Sequence, residues 1–279
     1  MIEHNLISII TPVYNGEKFI EACLKNVIAQ DSPFVEHVII DGASSDRTID
    51  IVKAYQQRYA HISWISEKDK GQPDAMNKGI QRAKGEIIGV LNVDDYYEEG
   101  VLTKILQIFK TLPVPSFICG NCNCWDDKGI LSYVNMPKNL GFKELLLGEH
   151  THPFPVNPSA YFYHKAIHQM IGMYDLKEDN ALDLDFVFRA VRKAHVYYFD
   201  ELWGNYRLLK GTKTVRLMES GGLDFVQERI FQHYRNQLSW PDRFFVFIYG
   251  KATKFLFKGL NDLKHLIKAM CRKTSHNGK

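Results

Sequence analysis

Four short apolar runs in the first half of the chain end on chemistry-bearing residues, with helix-like stretches between them. LISIIT ends at Thr11 and leads into PVYNG, and HVII ends at Asp41 in DGASSD. HISWIS leads into EKDKG, with Lys70 and Gly71, and EIIGVLNV ends at Asp94 and Asp95. Between the first two runs, Phe19, Ile20, Cys23, Leu24, Val27 and Ile28 recur at helical spacing. DRTIDIVKAYQQRY, PDAMNKGIQRAK and EEGVLTKILQIFK read as three more helices. The order β-α-β-α-β-α-β with short loops predicts right-handed crossovers and a mostly parallel sheet flanked by helices. In such a sheet the carboxyl ends of the strands share one rim, where ligands bind. Thr11, Asp41, Lys70, Asp94 and Asp95 are therefore expected in one crevice, although they span 85 positions. A hydroxyl, a cation and several carboxylates suit a nucleotide and a metal ion.

After Pro113 the rhythm changes. FICGNCNCW and ILSYVNM flank DDKG, which reads as a hairpin turn rather than a second metal site. A His- and Pro-rich loop follows over 150–164, then a helix near 184–194, a strand over 196–201 and the segment 202–214. The rest reads as helical. No repeat, low-complexity tract or linker interrupts the chain. The expected organisation is one domain over 1–215, with a nucleotide-binding part (1–112) and an acceptor and catalytic part (113–215). A helical extension covers 216–279.

With 279 residues, 45% of them apolar, the chain can bury one large core. Its net charge of +3 is too small to mark a nucleic-acid binder. The distribution says more: residues 243–279 hold nine Lys/Arg and one acid, Asp262, a net +8 that leaves −5 for the remainder. An acidic body with a basic tail suggests a separate partner for the tail. The N-terminus reads as a first strand, not a signal peptide. No apolar stretch approaches the ~20 residues that span a bilayer, so a cytoplasmic body is expected. Cys119, Cys122 and Cys124 lack a His/Cys pair at zinc spacing and read as reduced thiols on or beside a strand.

SIITPVYNGEKFIEACLKNVIAQ, HVIIDGASSDRTIDIV, EKDKGQPDAMNKGI and GEIIGVLNVDDYY, in this order, resemble the family 2 glycosyltransferases of bacterial polysaccharide assembly. The match is unbroken from about residue 6 to 110 and looser to about 214. TPVYN, DG-x-S-x-D and the DD pair together are specific. The resemblance implies a GT-A-type nucleotide-sugar fold, a divalent metal (Mg²⁺ or Mn²⁺) and inversion at the anomeric carbon.

The residues can be read physically beside it. A departing diphosphate gathers negative charge, and a hard cation held by carboxylates and phosphate oxygens neutralises it. By resemblance Asp95 ligates that metal and Asp94 supports the ribose or a metal-bound water, with Asn92 beside them; the plain alternative is that Asp95 caps the helix begun near Glu98. Asp41 is an acceptor-only carboxylate, suited to the imide N–H of uracil, or else an ordinary strand-end turn residue. Ser44 and Asp46 read as caps. Thr11 and the backbone around Val13 and Tyr14 would flank the base. Lys70 reads either as a point charge for the diphosphate or as a solvated loop lysine.

An acceptor hydroxyl must lose a proton as it attacks, and a carboxylate can take it. The family pattern E-D-Y-D-x-x-x-R, matched to LDLDFVFR and counted back from Arg189, puts the base at Asp183. Leu182 stands where the family carries an acid, which leaves Asp185 as the alternative; an N-cap role is the plain reading. Tyr206-Arg207 resembles the family's Y-R-x-H segment, with Leu209 at the His position. Arg207, Lys210, Thr212 and Lys213 form a candidate lid that holds phosphate, or a solvated surface loop. His152, Asn157 and Ser159 lie where the family meets its acceptor.

In the tail, Phe255, Leu263 and Met270 belong to an apolar helical face, and Lys251, Lys254, Lys258 and Lys268 to a basic stripe. Such a helix lies on an anionic membrane or packs on the body. The expected function is transfer from a UDP-sugar to a glycan or lipid-linked acceptor, on the cytoplasmic side and without nucleic acid. The rivals are a nucleotidyltransferase, whose Gly-rich opening loop is missing, and a non-catalytic sugar-nucleotide or glycan-binding subunit.

Overall fold

The computed structural model describes residues 6–148 and 152–250. Along the chain run β1 (Ile7–Val13), α1 (Ile20–Ile28), β2 (Val35–Asp41), α2 (Thr48–Gln56), β3 (Ile62–Ser66), α3 (Gln72–Arg82) and β4 (Ile87–Val90). The second half adds β5 (Tyr96–Tyr97), α4 (Val101–Phe109), β6 (Ser116–Trp125), β7 (Leu131–Asn135) and α5 (Phe142–Leu145). A 3₁₀ turn (Pro158–Ala160) then leads into β8 (Tyr161–His164), α6 (Ile167–Ile171), α7 (Leu182–Val191), β9 (His195–Arg207), α8 (Lys213–Glu219) and α9 (Gly222–Arg235). Residues 240–250 are helical.

The strands form one sheet in the order β3-β2-β1-β4-β8-β6-β9-β5, with β7 on β6. Its first four strands are parallel, as the alternating pattern predicts. Val13 lies opposite Asp41, and Asp41 opposite Ser66, so the strand ends do share a rim. The second half is mixed. β8 is antiparallel to both β4 and β6, β5 is antiparallel to β9, and β9 is parallel to β6. The expected hairpin closes β6 onto β7 at residues 126–129. β9 is longer than the strand expected at 196–201. It continues through Trp203 and Asn205 to Arg207 and so carries Arg207 to the rim.

Side chains alternate across the sheet, as the two-residue strand period requires. Ile10, Val90, Phe117, Tyr161 and Tyr163 face one core with α3, α7 and α9. Ile9, Ile87, Ile118 and Phe162 face the other with α1 and α4. Gly79 lets α3 lie directly on β1: a Cβ there would fall 2.3 Å from Ile10 Cγ2. That close approach sets the start of α3, and the loop before it, at the rim. Among the described residues no helix is long and apolar enough to cross a membrane. Most of the predicted tail helix, from Lys251 onward, lies outside the described residues.

Candidate active site

A cavity of about 670 Å³ opens at the rim. Its walls come from the loops after β1 and β4, the start of α3, residues 154–158, the start of α7, the end of β9, and α8 and α9. Val13, Tyr14, Asn92, Asp94, Asn157, Asp183, Arg207 and Lys213 line it; Thr11, Asp41, Lys70, Asp95, His152 and Lys210 do not.

The loops after β1 and β2 are tied together. Asn15 N–H donates to Ser44 Oγ at 2.7 Å, and Ser45 N–H donates to Asn15 Oδ1 at 2.9 Å. Asp46 accepts from Glu17 N–H at 3.0 Å and from Thr48 N–H at 3.0 Å, so it staples the two loops and opens α2. Tyr14 stays 65% exposed on this frame, a ring free to stack. Asp41 is buried and accepts from Ser44 N–H (3.0 Å) and from the hydroxyls of Ser44 and Ser66 (2.5 Å each). The Thr11 hydroxyl is buried inside the sheet, 2.9 Å from His37 Nε2. In EKDKG the cavity is lined by Asp69, not by Lys70. Asp69 Oδ2 lies 2.6 Å from where a Cβ on Gly42 would stand, with the Tyr14 ring at 3.4 Å from the same point. Asp69 is a site residue the sequence reading missed, because it followed the positive charge of the motif.

The acid pair follows β4. Asp94 faces the cavity and Asp95 is buried behind it. Asp95 Oδ1 accepts from Arg207 N–H at 3.0 Å, and Oδ2 accepts from Asn157 Nδ2 at 2.8 Å and Asn92 Nδ2 at 3.1 Å. Burial, and then the neighbouring Asp94 charge, push the Asp95 carboxyl up to about 8. Burial also raises Asp94. Arg207 offsets part of this: Nε donates to the Asp94 carbonyl, and its guanidinium lies over the Phe19 ring at 5.3 Å. Among the described residues no cluster of three His, Cys, Asp or Glu groups could hold a metal. Among the described residues the rim thus brings these two neighbouring carboxylates, a pair that fits a cation completed by phosphate oxygens and water.

Asp183 is half-buried at the cavity wall and accepts from the Tyr161 hydroxyl at 2.7 Å. Burial raises its carboxyl to about 6, opposed by that hydrogen bond and by the Lys213 charge. Asp185 turns the other way. It pairs with Arg189 at 2.8 Å and accepts from the Tyr234 hydroxyl at 2.6 Å.

Of the lid residues, Arg207, Thr212 and Lys213 reach the cavity wall, where Lys213 pairs with Asp179 Oδ2 at 2.7 Å. Asp179 also lines the cavity and was not singled out from sequence. Thr212 donates to the Leu209 carbonyl at 2.8 Å and Lys210 is exposed. On the acceptor side, His152 Nδ1 lies 3.0 Å from Asn139 Nδ2, away from the cavity. Ser159 is buried and donates to Asn157.

The chain is similar to known proteins in both sequence and structure. A putative teichuronic acid biosynthesis glycosyltransferase, TuaG of Bacillus subtilis, is 29% identical over 144 residues, which cover 50% of this chain and 57% of TuaG. An uncharacterised glycosyltransferase of the same organism, EpsJ, is 33% identical over 102 residues, 37% of this chain and 30% of EpsJ. The matches thus span about a third to a little over half of these relatives' length. TarS 1–349 of S. aureus superposes with a TM-score of 0.64 at 19% identity, covering 92% of this chain and 73% of that one. A mannosyltransferase of Pyrobaculum calidifontis solved with GDP-Man and Mn²⁺ gives 0.55 at 15% identity, over 100% of this chain and 89% of that one. The fold is the GT-A type. Residues 8–170, more than half of the chain, match the model of the family described as "Glycosyl transferase family 2", and the chain belongs to that family.

Proposed function

We propose that the protein moves a sugar from a uridine diphosphate donor to a hydroxyl of a glycan or lipid-linked acceptor, with inversion. The observation that carries this reading is a single cavity whose wall holds both Asp94, next to Asp95, and Asp183. In this reading the uracil stacks on Tyr14, with Asp41 and Asp69 as acceptors for its imide N–H. TarS has been solved with UDP-GlcNAc and with UDP, which favours uridine over guanosine donors. Asp94 and Asp95 would hold Mg²⁺ or Mn²⁺, which supplies countercharge for the departing diphosphate.

The acceptor oxygen attacks the anomeric carbon from the side opposite the diphosphate. As the new C–O bond forms, the hydroxyl proton passes to Asp183. The bond from the anomeric carbon to the diphosphate breaks, and UDP leaves with the electron pair. Burial suits Asp183 to this role, because a carboxylate raised to about 6 is a better proton acceptor than a solvated one and is still ionised at neutral pH.

A lipid-linked acceptor agrees with the segment after α9. In helix 240–250, Trp240, Phe244, Phe245, Phe247, Ile248 and Tyr249 are exposed, and only Val246 is buried. The segment from 243 onward is strongly basic, so we assign this surface to contact with an anionic membrane face. On this reading the reaction takes place at the cytoplasmic side of the membrane.

The test is UDP release from a panel of UDP-sugars, with GDP- and dTDP-sugars as controls, plus and minus acceptor and Mn²⁺. Acceptor-dependent, chelator-sensitive release from a UDP-sugar is expected. Binding without release would leave a non-catalytic subunit, and a GDP-sugar preference would overturn the donor assignment.

A further inference from the structure

Asn157 lies in the region expected to meet the acceptor, yet its amide is committed elsewhere. It is 1% exposed and precedes the 3₁₀ turn ahead of β8. Its Oδ1 accepts from Ser159 N–H at 2.9 Å and from Ser159 Oγ at 2.6 Å. Those two donors fix which way the amide faces. Flipped, its NH₂ would meet the Ser159 N–H, and its oxygen would meet the Asp95 carboxylate. The NH₂ must therefore point at Asp95, which it reaches at 2.8 Å.

Ser159 is itself held in place. It is fully buried, and a Cβ on Gly204 of β9 would fall 2.3 Å from its Oγ. Only glycine at 204 lets Ser159 come this close. A connected path thus runs from Gly204 through Ser159 and Asn157 to Asp95.

The path has a consequence for Asp95. A carboxylate has about four lone-pair positions. Asn157 and Asn92 occupy both on Oδ2, and Arg207 N–H occupies one on Oδ1. One position remains, on Oδ1. We propose that Asn157 is a positioning residue that turns the single open lone pair of Asp95 toward a divalent cation, making Asp95 a one-oxygen ligand. The proposal rests on the reading of Asp95 as a metal ligand.

The test is Mn²⁺ affinity in the presence of UDP, read from the EPR signal of free Mn²⁺ on the full chain. The variants are Asn157→Ala, Ser159→Ala and Asp95→Ala, with thermal unfolding and UDP binding in EDTA measured alongside. Removing partners that orient a metal ligand typically weakens metal binding about 10- to 100-fold. We expect a loss of that size for Asn157→Ala and a smaller loss for Ser159→Ala, with UDP binding in EDTA unchanged. If Asn157→Ala does not fold, Ser159→Ala decides. Wild-type Mn²⁺ affinity in the folded Asn157 or Ser159 variant, against a loss in Asp95→Ala, overturns the positioning role alone. Wild-type affinity in Asp95→Ala overturns the metal reading and this proposal with it.

Discussion

The Tyr161 hydroxyl donates to Asp183 across 2.7 Å, so the one carboxylate facing the cavity from α7 is held by a side chain at the start of β8. Burial raises that carboxyl and the tyrosine draws it back down. The balance bears directly on activity against pH. A base works only when ionised, so kcat/KM is expected to rise as pH rises through about 6 and to level off above it. In Tyr161→Phe the carboxylate loses a favourable hydrogen bond and is protonated more easily. The acid limb should move to higher pH by roughly one pH unit. An unmoved or downward-shifted limb would separate the limb from Asp183.

Asp183→Asn keeps the shape but cannot take the proton. Turnover should fall by roughly 10² or more, while UDP-sugar affinity measured by calorimetry barely changes.

Asp185→Asn is expected to act on stability instead. Asp185 pairs with Arg189 and accepts from Tyr234, and all three are largely buried. Breaking such a pair should cost roughly 3–5 kcal/mol in denaturant unfolding. Turnover per folded molecule should stay within about threefold of wild type. A dead but stable Asp185→Asn with an active Asp183→Asn would move the base by two residues.

Asp41 is already bonded to two serine hydroxyls, so its reading of a base depends on a hydroxyl giving way. UDP should bind more tightly than CDP, and Asp41→Ala should narrow the difference. A wild-type chain that binds CDP as well as UDP would remove Asp41 from base recognition.

The proposed membrane contact predicts dependence on both aromatic and basic residues. Replacing Trp240, Phe244 and Phe247 by Ser should release the protein from anionic vesicles. So should replacing Lys251, Lys254, Lys258 and Lys268 by Gln, at about 1 kcal/mol per lysine, with salt having the same effect. Transfer to a short soluble acceptor should survive both. Wild-type protein that ignores anionic vesicles at low salt would show that these residues serve another contact.

The parallel half of the fold was legible because each strand is a dense apolar run and each helix shows its spacing in sequence. β9 was harder to read. Asp200 and Glu201 interrupt its apolar pattern, and the register shifts beside them, so the strand signal in the sequence ends before Trp203. The site divides in the same way. Asp94, Asp95 and Asp183 stand out because a carboxylate at a strand end or helix start is visible locally. Asn157 was noticed for its place in a His- and Pro-rich loop, but its partner Asp95 is 62 residues away, and no local pattern encodes that contact. Asp69 and Lys70 are neighbours in one motif, and only the path of the loop decides which of them faces the cavity.

β8 has a consequence for how this scaffold can change. It is hydrogen-bonded to β4 on one side and to β6 on the other, so it joins the parallel strands β1–β4 to the mixed second half of the sheet. The two halves therefore cannot swing apart as separate lobes without tearing backbone ladders on both edges. Structural change is left to α8 and the surface loops, which can be rebuilt without disturbing the ladder. A chimera that exchanges the second half of the sheet between two such chains should be cut outside the β6–β8 ladder. A crossover inside it would pair strands from two different chains and disturb the ladder that holds Tyr161 beside Asp183.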